Sequence, residues 1–237
     1  MEKVIGALWS PEEESRASFG DRLLATLPAA LEAAGARKIR LNIRDETIAP
    51  ADPLVQRWQR PQQDAVVQFW MPSSNARFRQ AVDAALNAHC ARFALWLVCE
   101  SEIIANTDHI SQPGERTCGW SQASFISFLP DMGRSAAIAH WHSHHTRVAI
   151  ETQANFEYIQ NLIVRPLTED APAYDAFVEE CFPREAMNDP RVFFDAGDDE
   201  AKFKRNAQAM TASCEAFIDF TRIDVIPTSQ FDFGERD

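Results

Sequence analysis

The chain has 237 residues, 46% of them hydrophobic, so it can bury a sizeable core as one large domain or two small ones. Its 35 acidic and 23 basic residues leave a formal charge of -12, which argues against a nucleic-acid binder built on phosphate neutralisation and disfavours an anionic membrane surface. Five cysteines, none in a C-x-x-C pair, speak against a disulfide framework or a cysteine zinc site and for a reducing compartment.

The N-terminal MEKVIGALWSPEEE lacks the basic start and long apolar run of a signal peptide, and no apolar run reaches membrane-spanning length. The sequence therefore reads as cytoplasmic. Lys3 to Trp9 is a short apolar run that predicts a strand. Phe19, Leu23, Leu27 and Leu31 recur every four residues and predict a helix over 15–34, stopped by Gly35 and interrupted by Pro28. From Arg37 to Ile48 the pattern alternates, with Ile39, Leu41 and Ile43 on one face and Lys38, Arg40, Asn42 and Arg44 on the other. A proline-marked loop follows, then a strand over 64–71, a helix over 75–90 and a strand over 92–104.

That order is β-α-β-β-α-β, the ferredoxin-like arrangement. After a connection it comes round again: a strand over 122–130, a helix over 133–153, strands over 155–165 and 173–182, a helix over 201–217 and a strand over 218–226. ALNAHCARF from Ala85 echoes AMTASCEAF from Ala209, with Cys90 against Cys214 and Phe93 against Phe217. The expectation is an α+β chain of two ferredoxin-like halves, 1–107 and 120–228, with a linker at 108–119 and a tail at 229–237. Each half has one uncovered sheet face, so packing sheet to sheet closes a dimeric-type α+β barrel within one chain. Such a chain is a monomer acting as its own pseudo-dimer, or a homodimer.

The stretch from Gly133 to Asn161 holds four of the six histidines. Ile138, Trp141, His145, Val148 and Thr152 share one helical face, which directs His145 inward. A buried His is either a satisfied core residue or an acid/base group beside a cavity. His140 and His144 share a face but lack a third ligand, so no metal site is expected. Tyr158 and Gln160 have one strand parity, and Ile159, Asn161 and Ile163 the other. If the isoleucines meet the helices, Tyr158 and Gln160 face the cavity.

The residues Trp141, His145, Tyr158 and Gln160 resemble the motif of the EthD family, whose members are dimeric α+β barrels. His140 stands where that family usually has tyrosine, and Thr146-Arg147 replaces its small-proline step. The resemblance implies a barrel cavity for a small hydrophobic molecule, with no cofactor required. It implies acid/base work by His145 and Tyr158, with Gln160 and Trp141 binding substrate. The polar face of the strand from Arg37, interior in a closed barrel, adds Arg40 and Asn42 as binding residues unless acidic partners take them, and Trp70 is expected among the aromatic residues lining the pocket. The expected activity is that of a lyase or isomerase on an aromatic or polyketide-like compound. A carrier protein, and a cofactor-free oxygenase or haem-handling protein, remain as alternatives.

Overall fold

The computed structural model describes residues 1–234. Strands β1 (Glu2–Trp9), β2 (Arg37–Ile43), β3 (Ala65–Met71) and β4 (Arg92–Ile104) form the first half, with helices α1 (Arg16–Ala33) and α2 (Ala76–His89). The second half has β5 (Trp120–Ile126), β6 (Glu157–Pro166), β7 (Ala176–Phe182) and β8 (Asp224–Phe233). Its long helix has three parts: α3 (Arg134–His140), a π turn (Trp141–His145) and α4 (Thr146–Thr152). A short α5 (Pro190–Phe193) precedes α6 (Glu200–Glu215).

Both halves have the same strand order, β4-β1-β3-β2 and β8-β5-β7-β6. They join edge to edge, β2 to β8 and β4 to β6, both antiparallel, and close an eight-stranded barrel. The two ferredoxin-like halves thus form an α+β barrel. Closure leaves no free sheet edge, and strand alternation sends every second side chain inward.

Local chemistry explains the first half well. Ser15 accepts a hydrogen bond from the Ser18 N–H at the start of α1, and Phe19, Leu23, Leu27 and Leu31 are all fully buried. Gly35 adopts φ +93° and ends the helix, with Ala36 N–H donating to Leu31 O at 2.9 Å. The outward faces of β1 to β4 meet α1 and α2 through Val4, Leu8, Ile39, Leu41, Val67, Phe69 and Leu95, an apolar layer. A separate apolar cluster lies inside the barrel, where Ile5, Trp9 and Trp96 meet Phe125, Ile163 and Phe177 of the other half.

The C-terminal boundary departs from expectation. The last strand lies at 224–233, not 218–226, so most of the expected tail at 229–237 belongs to the barrel wall; residues 235–237 lie outside the described residues. Residues after Phe217 turn instead, with Asp219 Oδ1 accepting from Thr221 N–H (2.9 Å) and Thr221 Oγ1 (2.6 Å). Thr228, Ser229 and Gln230 resemble a solvated end in sequence, yet each is buried. Likewise β2 ends at Ile43, and a 3-10 turn over Glu46–Leu54 takes up the stretch expected to extend it. Among the described residues, no helix is long and apolar enough to cross a membrane.

Gly119 leads into β5 at φ +87°, and a Cβ there would lie 2.1 Å from Phe182 O. Gly119→Ala should therefore lower unfolding stability by about 3 kcal/mol in urea titration, combining left-handed strain with overpacking. Gly35→Ala meets nothing within 4 Å and should cost only the strain, about 1 kcal/mol.

Candidate functional site

The expected site residues fall into two separate places. Arg40, Asn42 and Trp70 belong to the barrel interior and its mouth. Trp141, His145, Tyr158 and Gln160 lie outside the barrel, between the sheet of the second half and its helices. The reason is strand parity. On β6 it is Ile163 that joins the barrel's internal cluster, while Tyr158 packs with Trp141 and Phe217 under the helices. The expectation that Tyr158 and Gln160 face the barrel cavity is thus reversed. It rested on the isoleucines meeting the helices, and in this barrel they line the inside.

Inside the barrel, Arg40 is committed to structure. Its guanidinium binds Asp232 (2.6 Å), Glu179 (2.8 Å) and Glu157 (2.9 Å). Asn42 Nδ2 donates to Glu179 Oε1 (2.5 Å) and Ser121 Oγ (3.2 Å). Gln68 and Gln230 also donate to Glu179, at 2.7 and 2.9 Å. Burial alone would lower the Arg40 pKa, but Glu157, Glu179 and Asp232 outweigh it and hold it well above the ordinary value. Burial likewise would raise Glu179, but Arg40 and the amide donors bring it down to about 2. Strands from both halves supply this network, which welds them together. Arg40 and Asn42 are therefore not free to clamp a substrate. Above them the mouth opens into a cleft of about 550 Å³ lined by Lys3, Arg40, Trp70, Glu100, Glu157 and others. Its charged rim does not suit a hydrophobic guest.

The helix–sheet layer of the second half differs from its counterpart. The strands of the first half present Val4, Leu8, Ile39, Leu41, Val67, Phe69 and Leu95 there, whereas the second half presents Gln122, Tyr158, Gln160 and Glu180 beneath Trp141 and His145. Gln160 Nε2 donates to Tyr158 Oη (2.7 Å) and to Thr146 Oγ1 (2.8 Å). Glu180 sits on β7 opposite Tyr158 on one side and Gln122 on the other. Asn155 Nδ2 donates to its Oε1 at 2.9 Å and Gln122 Nε2 to its Oε2 at 3.5 Å. No Lys or Arg among the described residues pairs with it. Burial raises Glu180 from 4.5 to about 7, with the two amides opposing. Burial, then Glu180, raises the Tyr158 phenol, against the Gln160 donor.

His145 is buried, with Nδ1 3.0 Å from Ser213 Oγ and its ring against Phe217 (4.9 Å between centroids). Burial, helped by His140 and His144, lowers it from 6.5 to about 4. It is therefore neutral at neutral pH and a weak base. An NMR titration should place its midpoint near 4. Since the folded value lies below the unfolded one, this burial adds stability above pH 6.5 that is lost as pH falls through 4. His142 and His144 are exposed and His140 is half-buried. Among the described residues, no group of three or more His, Cys, Asp or Glu could hold a metal ion.

The π turn at Trp141–His145 carries one more residue per turn than the α-helix on either side. Thr146 bonds Trp141 O through both its backbone N–H and its hydroxyl, the latter at 2.9 Å. This turn places Trp141, fully buried, against Tyr158 and Phe217. Its indole Nε1 lies near enough to the Tyr158 phenol to oppose the rise in its pKa, short of full hydrogen-bond geometry. Sequence reasoning missed Glu180. The available signal was Glu179-Glu180 inside the otherwise apolar AFVEECF strand, where adjacent residues point to opposite faces.

The family model of the EthD domain matches residues 129–221, within the second half, in agreement with the resemblance carried by the residues around His145. No curated protein matches the chain. Among solved structures, an anthrone oxidase-like protein is 8% identical with a TM-score of 0.58, covering 99% of this chain and 94% of its own. A proposed monooxygenase from Lactobacillus acidophilus NCFM is 9% identical, TM-score 0.45, covering 98% and 96%. A proposed chlorite dismutase is 10% identical, TM-score 0.45, covering 97% and 95%. The first of these shows that the whole chain, both halves, shares a known α+β barrel fold.

Proposed function

We propose that this chain is a cofactor-independent acid/base enzyme, a lyase or isomerase acting on a small aromatic or polyketide-like compound in the helix–sheet layer of its EthD half. The observation that carries this is Glu180, a buried carboxylate with no Lys or Arg partner among the described residues, beside Tyr158 and Gln160 at strand positions that are apolar in the other half. A carboxyl poised near neutrality is suited to take a proton from a carbon next to a carbonyl. Because Gln160 donates to Tyr158 Oη, the phenol's own proton is available to the substrate oxygen, where negative charge develops. Glu180 then returns the proton to a leaving hydroxyl in dehydration, or to another carbon in isomerisation. His145, neutral and held by Ser213, shapes the pocket and does not carry the proton. Trp141, Tyr158 and Phe217 fill the layer, and the substrate ring takes the place of the Trp141 indole. The protein acts as a monomer that closes its own barrel.

The test is hydron exchange. A panel of phenolic and polyketide-like ketones incubated with the protein in D2O, without oxygen, should include compounds that lose an α-proton signal faster than in buffer. An absence of exchange and turnover across the panel would overturn the reading. A second reading, cofactor-free oxidation, is favoured by the anthrone oxidase-like neighbour and shares the first step, since the carbanion is what oxygen attacks. Turnover that strictly requires oxygen selects it over the lyase.

A further inference from the structure

At the end of the barrel opposite Lys3 and Trp70, the start of α1, the end of β2 and the segment before β3 enclose a cleft of about 360 Å³. Arg16, Arg44, Arg57, Arg60, Gln63 and Asp64 line it, four guanidinium groups against one carboxylate in a chain of net charge -12. That carboxylate is already engaged. Asp64 Oδ2 accepts from Ser10 N–H (3.0 Å) and Ser10 Oγ (2.9 Å), and Oδ1 from Arg16 (3.3 Å). Arg44, buried, pairs with the exposed Asp52 at 2.6 Å. Arg57 and Arg60 have no acidic partner among the described residues. A second observation points to a ligand independently of charge. Gln63 is only 3% exposed and its Nε2 donor has no partner, a costly state unless something fills the cleft.

We propose that this cleft binds the phosphate group of a small phosphorylated molecule. Guanidinium forks match pairs of phosphate oxygens, and several around one cleft suit a multiply charged tetrahedral anion. A single carboxylate would satisfy one fork and leave the others facing each other. The volume accommodates a diphosphate. A nucleic acid is disfavoured because a chain of net charge -12 repels a long polyanion. This inference concerns the first half alone and does not rest on the role given to Glu180.

The experiment is calorimetric titration of the full chain at low ionic strength with pyrophosphate, inorganic phosphate, acetate and an oligothymidylate. Saturable 1:1 binding of pyrophosphate below millimolar Kd is expected, weaker binding of phosphate and none of acetate. The double variant Arg57→Gln/Arg60→Gln should weaken pyrophosphate at least tenfold. Both residues are exposed, so its urea midpoint should match the parent. Arg191→Gln, an exposed arginine paired with Glu200 in the other half, should leave binding unchanged. As a second readout, Trp9 Nε1 donates to Pro61 O at 2.9 Å, so indole fluorescence should respond to filling of the cleft. Three results each overturn the proposal: no saturable binding, binding unaffected by the double variant, or an oligothymidylate that binds more tightly than pyrophosphate.

Discussion

Glu180→Gln should lower kcat by about 10²- to 10⁴-fold, the usual worth of a positioned general base, while making the folded protein more stable above neutral pH. The two effects have one cause. Burial without a cation keeps the folded-state pKa of Glu180 near 7, against 4.5 for an ordinary glutamate. The folded chain therefore binds this proton more tightly than the unfolded chain. Below pH 4.5 both states are protonated and Glu180 costs nothing. Between 4.5 and 7 stability falls as pH rises, and above 7 the full cost of about 3 kcal/mol is present. The glutamine variant carries no such charge, so urea unfolding at pH 5 and pH 8 should show the two proteins diverging in its favour. Parallel stability curves would show that Glu180 is not perturbed. In activity, kcat of the parent should rise through pH 7 as the carboxylate forms, a limb that the variant lacks. A purely structural glutamate would give the stability result without the kinetic one.

The sequence made the element order legible because long amphipathic periods and alternating runs are local properties. Phe19 to Leu31 announces α1, and Ile39 to Ile43 announces the face of β2. It also made the likeness of the second half to the EthD domain legible, since Trp141, His145, Tyr158 and Gln160 stand at that motif's spacing. What it left obscure depends on long-range geometry. Whether Tyr158 faces in or out follows from how β6 pairs with β4 across the junction of the halves, where Glu100 meets Asn161. A one-residue change of parity moves the whole set from one layer to the other. The polarity of β8 misled for the same reason. Gln230 and Thr228 look solvated until the barrel closes over them and gives Gln230 Nε2 the carboxylates of Glu157 (2.7 Å) and Glu179 (2.9 Å). His145 was identified as inward, but its protonation depends on surroundings that no spacing records. Burial makes it a weak base, which is why the proposed mechanism gives the proton to Glu180 instead.

Arg40 offers the sharpest contrast between a residue that binds substrate and one that holds a fold. Arg40→Met should destabilise the protein by about 3–5 kcal/mol, because it takes the guanidinium away from Glu157 and Glu179, two carboxylates buried inside the barrel. Glu179 is the clearest case. With Arg40 present its pKa is held near 2, below the ordinary 4.5, so it contributes stability above pH 4.5 that is lost as pH falls through 2. Without the guanidinium, burial dominates and the pKa moves above 4.5. The folded state then prefers the proton, and stability falls as pH rises. The slope of unfolding free energy between pH 4 and 6, measured in urea, should therefore change sign relative to the parent at this site. Adding Glu157→Gln and Glu179→Gln to Arg40→Met should recover much of the loss, since the stranded charges go with their partner. A substrate clamp predicts otherwise: a raised KM with stability and pH slope unchanged. That pattern would return Arg40 to the binding site and break the link drawn here between the three carboxylates and closure of the barrel.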